Sequence, residues 1–244
     1  MSDLNQTPKG HQHPITTIIG EINSIFAEIG FVFAEGPEIE TEVYNFDRLN
    51  VAKDHPSRDM QDTFWLKPED VVVPTVLRTH TSPVQARYME SHEPPIRIIV
   101  PGKVFRNEAS DATHEAQFYQ FEGLYIDKDV NLGHLKGVLE YFLSRLFKGQ
   151  TEIRFRPSYF PFVEPGLEVD MRIVGGDGKL SGRWIEIMGA GMVHPNVLRD
   201  SGIDPEEYNG FAFGVGIDRL VMLRHGIDDI RLLYSGDLRL VNQF

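Results

Sequence analysis

The sequence predicts an α+β domain with a mostly antiparallel sheet. Apolar residues recur at helical spacing in two long segments, 14–29 and 131–147, and each segment predicts a helix with one face on the core. Short runs of strand-forming residues alternate with Gly and Pro turns in the C-terminal part of the chain, which is typical of antiparallel strands. No internal repeat or low-complexity linker divides the chain, so we expect a flexible N-terminal segment, 1–13, and one domain, 14–244.

Shorter elements are predicted around the two long helices. A strand at 31–34 follows the first helix, and a long irregular region rich in Asp, His and Pro follows at 45–70; loops of that length are usually functional or bound to a partner. A helix is predicted at 83–90, and Ser82 before it is a helix N-cap, a site residue, or both. The remaining predicted strands lie at 96–100, 103–107, 117–126, 152–156, 167–174 and 183–188.

The composition is that of an ordinary globular protein of 244 residues, with 41% hydrophobic and 25% charged residues. No apolar run approaches the ~18 residues of a membrane span, and the polar start has no apolar core of a secretory signal, so we expect an intracellular (cytoplasmic) protein that does not use a membrane. The absence of cysteine excludes disulfides, thiolate metal sites and a cysteine nucleophile. The net charge of −12 predicts repulsion of a polyanion, so any nucleic-acid contact must be local or supplied by a partner.

The segment 104–123 carries the clearest functional pattern, because it predicts two strands joined by a polar turn. The first arm carries Arg106, and the turn contains Asp111, Thr113 and His114. A guanidinium at the end of a strand can bind a phosphate with two hydrogen bonds, and a nearby Phe ring can stack on a base. The segment therefore indicates a nucleotide held on a sheet, without a Gly-rich phosphate loop at a helix N-terminus. The alternative is an exposed hairpin whose charges are solvated.

The returning arm of this hairpin has two different faces. Phe118, Gln120 and Glu122 alternate onto one face, and Tyr119 and Phe121 point to the other. An unpaired buried amide or carboxylate costs about 1–3 kcal/mol, so a core strand rarely carries either. A sheet face with an aromatic ring and two polar groups is therefore expected to bind a ligand.

Three segments together resemble the catalytic core of the phenylalanyl-tRNA synthetase alpha subunits, a family of class II aminoacyl-tRNA synthetases. Residues 36–40 with 45–47 are similar to the first class II motif, 104–123 to the second and 210–219 to the third. The resemblance extends over about 13–244. It implies a class II synthetase-like antiparallel sheet flanked by helices, and an enzyme that activates phenylalanine with ATP.

The resemblance implies an ATP site of five residues. Arg106 would bind the α-phosphate, and Glu108 would contact the adenine. Phe118 and Arg219 would hold the adenine between them, and His114 would lie near the outer phosphates. Adenylate formation is an in-line attack of a carboxylate on the α-phosphorus with pyrophosphate leaving. Catalysis then needs positioning and positive charge, from Arg106 and Arg219, rather than a protein nucleophile.

The resemblance also implies a site for phenylalanine. Phe160 and Phe162 would face the substrate ring edge-on, an arrangement that favours aromatic pairs by about 0.5–1.5 kcal/mol; without the resemblance both would be assigned to the core. Val163 and Ala212 would form the pocket floor, where the small Ala212 leaves room for a phenyl ring and gives a tyrosine hydroxyl no partner, so that tyrosine is rejected only modestly. The residues expected around the α-amino and carboxylate groups are His80, Ser82, Gln85, Gln120 and Glu122.

Two carboxylates are candidates for binding Mg²⁺. Glu164 matches a family position that binds the metal together with the partner subunit, and Glu186 is the second candidate. Carboxylate oxygen suits a hard cation that bridges phosphates. For either residue the alternative is a salt bridge at the rim of the site.

The resemblance implies macromolecular partners as well. Transfer of the amino acid to tRNA(Phe) would need a beta subunit, in agreement with the acidic net charge of this chain. The family assembly is an α₂β₂ heterotetramer, and a homodimer through the surface around Pro37 is the alternative for this chain alone. No long helical arm is recognised ahead of the core and no anticodon-binding domain after it, so recognition of tRNA is expected to depend on the beta subunit.

Two classes of function remain open from the sequence. The first is the enzyme just described, and the second is a catalytically idle paralogue that binds small molecules or a partner through the same sheet. A narrower alternative is a synthetase-like ligase with another amino acid or acceptor. The enzyme is favoured by the joint presence of Arg106, Glu108, Phe118, Gln120, Glu122 and Arg219.

Overall fold

The structure is a computed structural model that describes residues 10–60, 62–174 and 181–244. Its strands are β1 Val32–Phe33, β2 Ile39–Thr41, β3 Thr75–Leu77, β4 Ile96–Phe105, β5 Gln117–Asp127, β6 Gln150–Phe160, β7 Val163–Val174, β8 Ile185–Val193 and β9 Asn209–Gly216. Its α-helices are α1 Pro14–Ala27, α2 Glu42–Asn45, α3 Ser82–Ser91, α4 Leu132–Leu146, α5 Pro195–Asp200, α6 Ile217–His225 and α7 Leu238–Val241. Short 3₁₀ helices cover Asp47–Leu49, Pro56–Arg58, Pro68–Asp70 and Ile230–Tyr234.

Seven of the described strands form one sheet, in the order β1-β4-β5-β9-β8-β7-β6. Neighbouring strands in it are antiparallel except β1 and β4, which run parallel. Strands β2 and β3 form a separate antiparallel pair. The predicted α+β class with a mostly antiparallel sheet is confirmed.

The two faces of the sheet have different roles. On one face, Phe121 and Phe213 pack against α1 and α4, where the Phe26 ring lies 5.9 Å from Phe121, 5.7 Å from Phe213 and 5.1 Å from Phe142. On the other face, Leu124 packs among residues of α3 and α5. Because side chains alternate along a strand, the residues between the aromatic core positions of β5 point to this second face. The second face is therefore available for a site.

The predicted hairpin is present. Strands β4 and β5 pair from Ile96 opposite Ile126 to Phe105 opposite Gln117, and the turn lies between them. The two strands predicted at 96–100 and 103–107 are wrong as separate elements, since they form the single strand β4. Strand β1 pairs only with residues 98 and 99, so β4 is an edge beyond that point and tolerates Pro101.

The first helix begins where the sequence predicts it and ends two residues earlier than predicted. Helix α1 begins at Pro14, as predicted, and the His13 side chain accepts a hydrogen bond from the Ile15 backbone N–H as its N-cap. The other ring nitrogen of His13 lies 3.0 Å from the Leu233 carbonyl oxygen. Of the predicted flexible segment, residues 1–9 lie outside the described residues. None of the described helices is long and apolar enough to cross a membrane.

Candidate active site

A cavity of about 580 Å³ lies on the second face of the sheet, between the strands, the start of α3 and the long loop after α2. It gathers all nine residues predicted to bind an amino acid and two of the five predicted to bind ATP. The nine are His80, Ser82, Gln85, Gln120, Glu122, Phe160, Phe162, Val163 and Ala212, and the two are Arg106 and Glu108.

Glu122 is the buried acid at the polar end of this cavity. Its carboxylate accepts hydrogen bonds from Ser82 Oγ at 2.6 Å, from Gln85 Nε2 at 2.6 Å and from Gln120 Nε2 at 3.0 Å. Burial raises the pKa of Glu122 to about 7, although these bonds and the charge of Arg106 act in the opposite direction. A cation placed beside this carboxyl would lower its pKa and stabilise the ionised form.

Two polar atoms at the same end are buried and have no partner among the described residues. They are Nδ1 of His80 and Oε1 of Gln120. Burial, with a smaller contribution from Arg106, lowers the pKa of His80 to about 3, so its ring is neutral at pH 7. A neutral imidazole has one unprotonated ring nitrogen, so Nδ1 can accept a hydrogen bond. Both unpartnered atoms can therefore accept a hydrogen bond from a ligand in the cavity.

The opposite end of the cavity is apolar. The rings of Phe160 and Phe162 lie 6.0 Å apart at 21°, and Val163 and Ala212 complete this wall. Gly189 makes room for the first ring, because a Cβ there would come within 3.0 Å of Phe160 Cζ. Both rings line the cavity, and Phe162 also packs against two buried hydrophobic clusters, so their assignment to a substrate site stays a prediction.

Gly214 allows the polar end to form. It lies opposite Glu122 in the β5–β9 ladder, and a Cβ at this position would come within 3.0 Å of both Gln120 Nε2 and Glu122 Cγ. A side chain on this strand would displace the acid and its amide neighbour. The Gly-rich character of β9 is thus a requirement of the cavity.

Arg106 lies between the cavity and the start of the hairpin turn. Its Nε donates to the Thr79 carbonyl at 3.2 Å, and its guanidinium carbon is 5.0 Å from the centre of the Phe118 ring. Within the described ranges it forms no ion pair. Burial lowers the pKa of Arg106, and the carboxylates of Glu108 and Glu122 oppose that effect. The guanidinium remains a cation whose charge faces the cavity.

Three predicted ATP residues do not line the cavity: Phe118, His114 and Arg219. Phe118 lies under Arg106, and the His114 imidazole is exposed in the hairpin turn, 3.1 Å from Asp111. Arg219 donates two hydrogen bonds to the Glu186 carbonyl, at 3.1 and 2.9 Å.

The helix that carries Arg219 is anchored by a buried acid. Asp218 is 2% exposed, and its Oδ2 accepts the Tyr119 backbone N–H at 2.6 Å while Oδ1 accepts the Tyr234 hydroxyl. Burial raises the pKa of Asp218, and these hydrogen bonds act against that rise. The start of α6 is therefore tied to β5 next to Phe118.

The two metal candidates lie far apart. Glu164 pairs with His194 at 3.2 Å, and Glu186 pairs with Arg156 at 3.1 Å. The register of β7 and β8 puts Glu164 near Val193, about seven residues along β8 from Glu186, or roughly 20 Å. One ion cannot bind both. The described residues contain no group of three or more His, Asp or Glu side chains arranged to hold a metal ion.

The Ser82 N-cap prediction is wrong. Thr81 occupies the N-cap position of α3, no side chain caps the helix, and the Ser82 hydroxyl points to Glu122 instead. The acid attracts the hydroxyl because a buried carboxylate needs donors. Ser82 thus lines the cavity and does not cap the helix.

Sequence reasoning missed several residues of the cavity wall. His55, Ser57 and Asp62 come from the long loop, whose length predicts a function although no pattern singles out these three. Tyr159 lies at the mouth and is 78% exposed. Its position beside Phe160 was the one available indication. The other missed wall residues are Phe46, Leu49, Val51, Thr79, Met89, Leu124, Pro161, Gly189, Ala190, Val193, Val197, Phe213 and Gly214.

Known proteins are similar to this chain in sequence and in fold. The family model of the tRNA synthetases class II core domain (F) matches residues 2–244. The chain is 54% identical over 240 residues to the phenylalanine–tRNA ligase alpha subunit of Caldanaerobacter subterraneus subsp. tengcongensis and 55% identical over 240 residues to that of Alkaliphilus metalliredigens. Each alignment covers 96% of this chain and 69% of the relative. Among solved structures, pyrrolysyl-tRNA synthetase from Desulfitobacterium hafniense has a similar fold, with a TM-score of 0.67 at 19% identity over 91% of this chain and 74% of that one.

Proposed function

The chain belongs to the class II tRNA synthetases, in the family of the phenylalanine–tRNA ligase alpha subunits, and we propose that its cavity joins phenylalanine to AMP. Its function is the ATP-dependent activation of phenylalanine and, with a beta subunit, the charging of tRNA. The residues that carry each step are assigned below from the contacts in the cavity.

The acceptors at the polar end carry the proposal. An amino acid brings an ammonium group with three N–H donors. The cavity offers such a group three hydrogen-bond acceptors: the Glu122 carboxylate, Nδ1 of His80 and Oε1 of Gln120. The last two have no partner among the described residues. An ammonium would satisfy all three and keep Glu122 ionised. The apolar end with Phe160 and Phe162 then takes the side chain.

Arg106 would supply the catalytic charge. With the ammonium at Glu122, the substrate carboxylate lies on the Arg106 side of the cavity, where the α-phosphate must approach for in-line attack. The guanidinium would bind the α-phosphate and stabilise the charge that develops on it. No proton transfer to a protein group is required, because both the attacking carboxylate and the leaving pyrophosphate are already anions.

The remaining ATP contacts lie around the cavity mouth. Glu108 would bind the adenine, and Phe118 and Arg219 would enclose it, with the start of α6 held by Asp218. His114 would contact the outer phosphates from the hairpin turn. The Arg219 bonds to the Glu186 carbonyl place its guanidinium at the strand next to β9.

Mg²⁺ fits this site as a companion of ATP. The side chains of Glu164 and Glu186 are 74% and 59% exposed, so each presents a carboxylate oxygen. Mg²⁺ is usually bound by one or two carboxylates, by substrate phosphates and by water, which agrees with isolated carboxylates at the rim. When bound, the ion would neutralise phosphate charge. Whichever of the two carboxylates binds this ion would exchange its present partner for it, which is Arg156 for Glu186 and His194 for Glu164.

Charging would be shared with other molecules. The relatives named above are alpha subunits, so a beta subunit is the expected partner and tRNA(Phe) the acceptor. A heterotetramer of two alpha and two beta subunits is the proposed assembly, with a homodimer as the alternative for the chain alone. The cytoplasm is the proposed location.

The experiment is ATP–pyrophosphate exchange with Mg²⁺ and each of the twenty amino acids, for the chain alone and with a beta subunit added. We expect exchange with phenylalanine, weak exchange with tyrosine and none with the others. Exchange by the chain alone would assign the whole adenylation site to it. Silence with all twenty in the presence of the beta subunit would contradict the proposal and favour the idle paralogue, for which the described residues give no support.

A further inference from the structure

Asn45 is a fully buried amide at the end of α2 that contacts no substrate in the proposed function. Its side chain binds Thr79 twice: Nδ2 donates to Thr79 Oγ1 at 3.0 Å, and Oδ1 accepts the Thr79 backbone N–H at 3.2 Å. Thr79 directly precedes His80, and both residues line the cavity. Asn45 therefore holds the backbone from which the His80 ring projects.

Three residues of the segment 79–82 line the cavity. The Thr79 carbonyl accepts Arg106 Nε at 3.2 Å, and Nδ1 of His80 is buried without a partner among the described residues. The Ser82 hydroxyl donates to Glu122 at 2.6 Å. A displacement of this segment would move the amino-acid site and the phosphate-binding arginine together.

The Thr79 end of this segment has no regular secondary structure to hold it. It lies between β3, which ends at Leu77, and α3, which begins at Ser82. A buried N–H must find a partner, and Asn45 Oδ1 replaces the ladder bond that a strand would have provided. The partner comes from 34 residues earlier in the chain. The orientation of 79–82 thus depends on a side chain of another element.

We propose that Asn45 is a positioning residue that sets His80 and Arg106 in register with each other, a role that rests on the proposed function. Through Thr79 it fixes the carbonyl that orients the guanidinium, and with it the backbone position from which the His80 ring enters the cavity wall. The amide touches neither substrate. Its loss should therefore weaken the use of phenylalanine and of ATP at the same time.

The test is pyrophosphate exchange with the beta subunit present, comparing wild type, Asn45→Ala and Asn131→Ala. Misplacement of reacting groups by about 1 Å costs ~10²-fold, so we expect kcat/KM for both phenylalanine and ATP to fall by about 10- to 100-fold in Asn45→Ala. Asn131 caps α4 away from the cavity, so Asn131→Ala should lower the Tm with both KM values unchanged. This control separates loss of position from loss of stability.

A second pair keeps the test decisive if Asn45→Ala does not fold. Thr79→Val removes the hydroxyl bonded to Asn45, whereas Thr79→Ser keeps it. We expect both KM values to rise several-fold in the Val variant and to match wild type in the Ser variant. Unchanged constants in folded Asn45→Ala, or in Thr79→Val, with an active wild type would overturn this inference alone. A silent wild type would overturn the proposed function and this inference with it.

Discussion

Two of the regions of the sheet that contain both arginines and acidic side chains differ in how their charges are paired. In the rim cluster, formed by Arg154, Arg156, Glu168, Asp170 and Glu186, every charge is paired. Asp170 accepts from both arginines at 2.7–2.9 Å, and Arg156 also binds the other two acids at 2.8 and 3.1 Å. The charges of this cluster neutralise one another.

In the cavity, by contrast, Arg106 and Glu122 are not neutralised by an ion pair within the part of the chain that the structure describes. Arg106 forms no ion pair among the described residues, and burial lowers its pKa. Burial of this unpaired charge is therefore unfavourable while no ligand is bound. Glu122 has neutral donors only, and its pKa is raised to about 7. Burial of polar groups without compensation is costly, so the arrangement is expected where a ligand completes it. The contrast teaches that incomplete pairing, rather than the number of charges, distinguishes the site from the rim.

The largest effect should come from removing the unpaired cation. Arg106→Ala should lower pyrophosphate exchange by about 10²–10³-fold or more, because the group that stabilises the developing phosphate charge is lost. Arg154→Ala is the matched control: it removes a guanidinium already paired with Asp170, which keeps Arg156 as a partner. Exchange should then stay within about twofold of wild type. Equal losses in the two variants would remove the distinction between the regions.

A smaller effect should follow from neutralising the cavity acid. Glu122→Gln keeps the shape, and Gln120 can turn its unpartnered Oε1 toward the new amide. The charge-assisted bond to the substrate ammonium is lost, worth about 1.5–3 kcal/mol, so the KM for phenylalanine should rise roughly 10- to 100-fold. The KM for ATP should hardly change. Steady-state exchange at varied phenylalanine and ATP tests this, and Glu168→Gln in the rim cluster should leave both constants alone.

How much of this site is visible in the sequence depends on how local each contact is. Glu122, Gln120 and Phe118 follow from the alternation of one strand, and Arg106 from its neighbour, because a two-residue period fixes their face. The pairing of Glu122 with Ser82 and Gln85 joins residues 40 and 37 positions apart, and only the resemblance to a family brought them together. The structure brings many of the predicted residues together, and the role of each predicted site residue stays a prediction.

The missed features have a common physical cause. Asn45 is joined to Thr79 across two elements, so neither local pattern contains the bond. The break predicted within β4 came from Pro101 and Gly102, which usually interrupt strands. An edge position tolerates them, and edges are a property of the sheet rather than of the segment.

The stability of the two regions should respond to pH with opposite signs. Glu122 has a raised pKa in the folded state, so the folded chain binds more protons than the unfolded chain between pH 4.5 and 7, and stability falls as pH rises through that window, by up to about 3 kcal/mol. Asp170 has a pKa lowered by Arg156, so its contribution to stability is present above pH 3.8 and is lost as pH falls.

Denaturant unfolding should show Glu122→Gln stabilised relative to wild type at pH 8 but not at pH 4.5. Asp170→Asn should be destabilised at pH 8. A Glu122→Gln variant less stable than wild type at pH 8 would contradict the assignment of a costly buried carboxylate.

The smallest expected effect concerns the shape of the apolar end of the cavity rather than charge. It tests whether the substrate ring reaches the wall at this end. Ala212 lies on the cavity face of β9, opposite Leu124 in the ladder, so Ala212→Gly removes one methyl from the wall. Exchange with para-chlorophenylalanine should rise relative to phenylalanine, while the strand loses about 0.5–1 kcal/mol of stability through the added glycine. Ala34→Gly makes the same change outside the cavity wall, where the side chain packs in a buried cluster with Ile96 and Ile98, and it should cost stability without widening the substrate range. An unchanged preference in Ala212→Gly would mean that the substrate ring does not reach this wall, since a methyl-sized space beside the ring would otherwise admit the added atom.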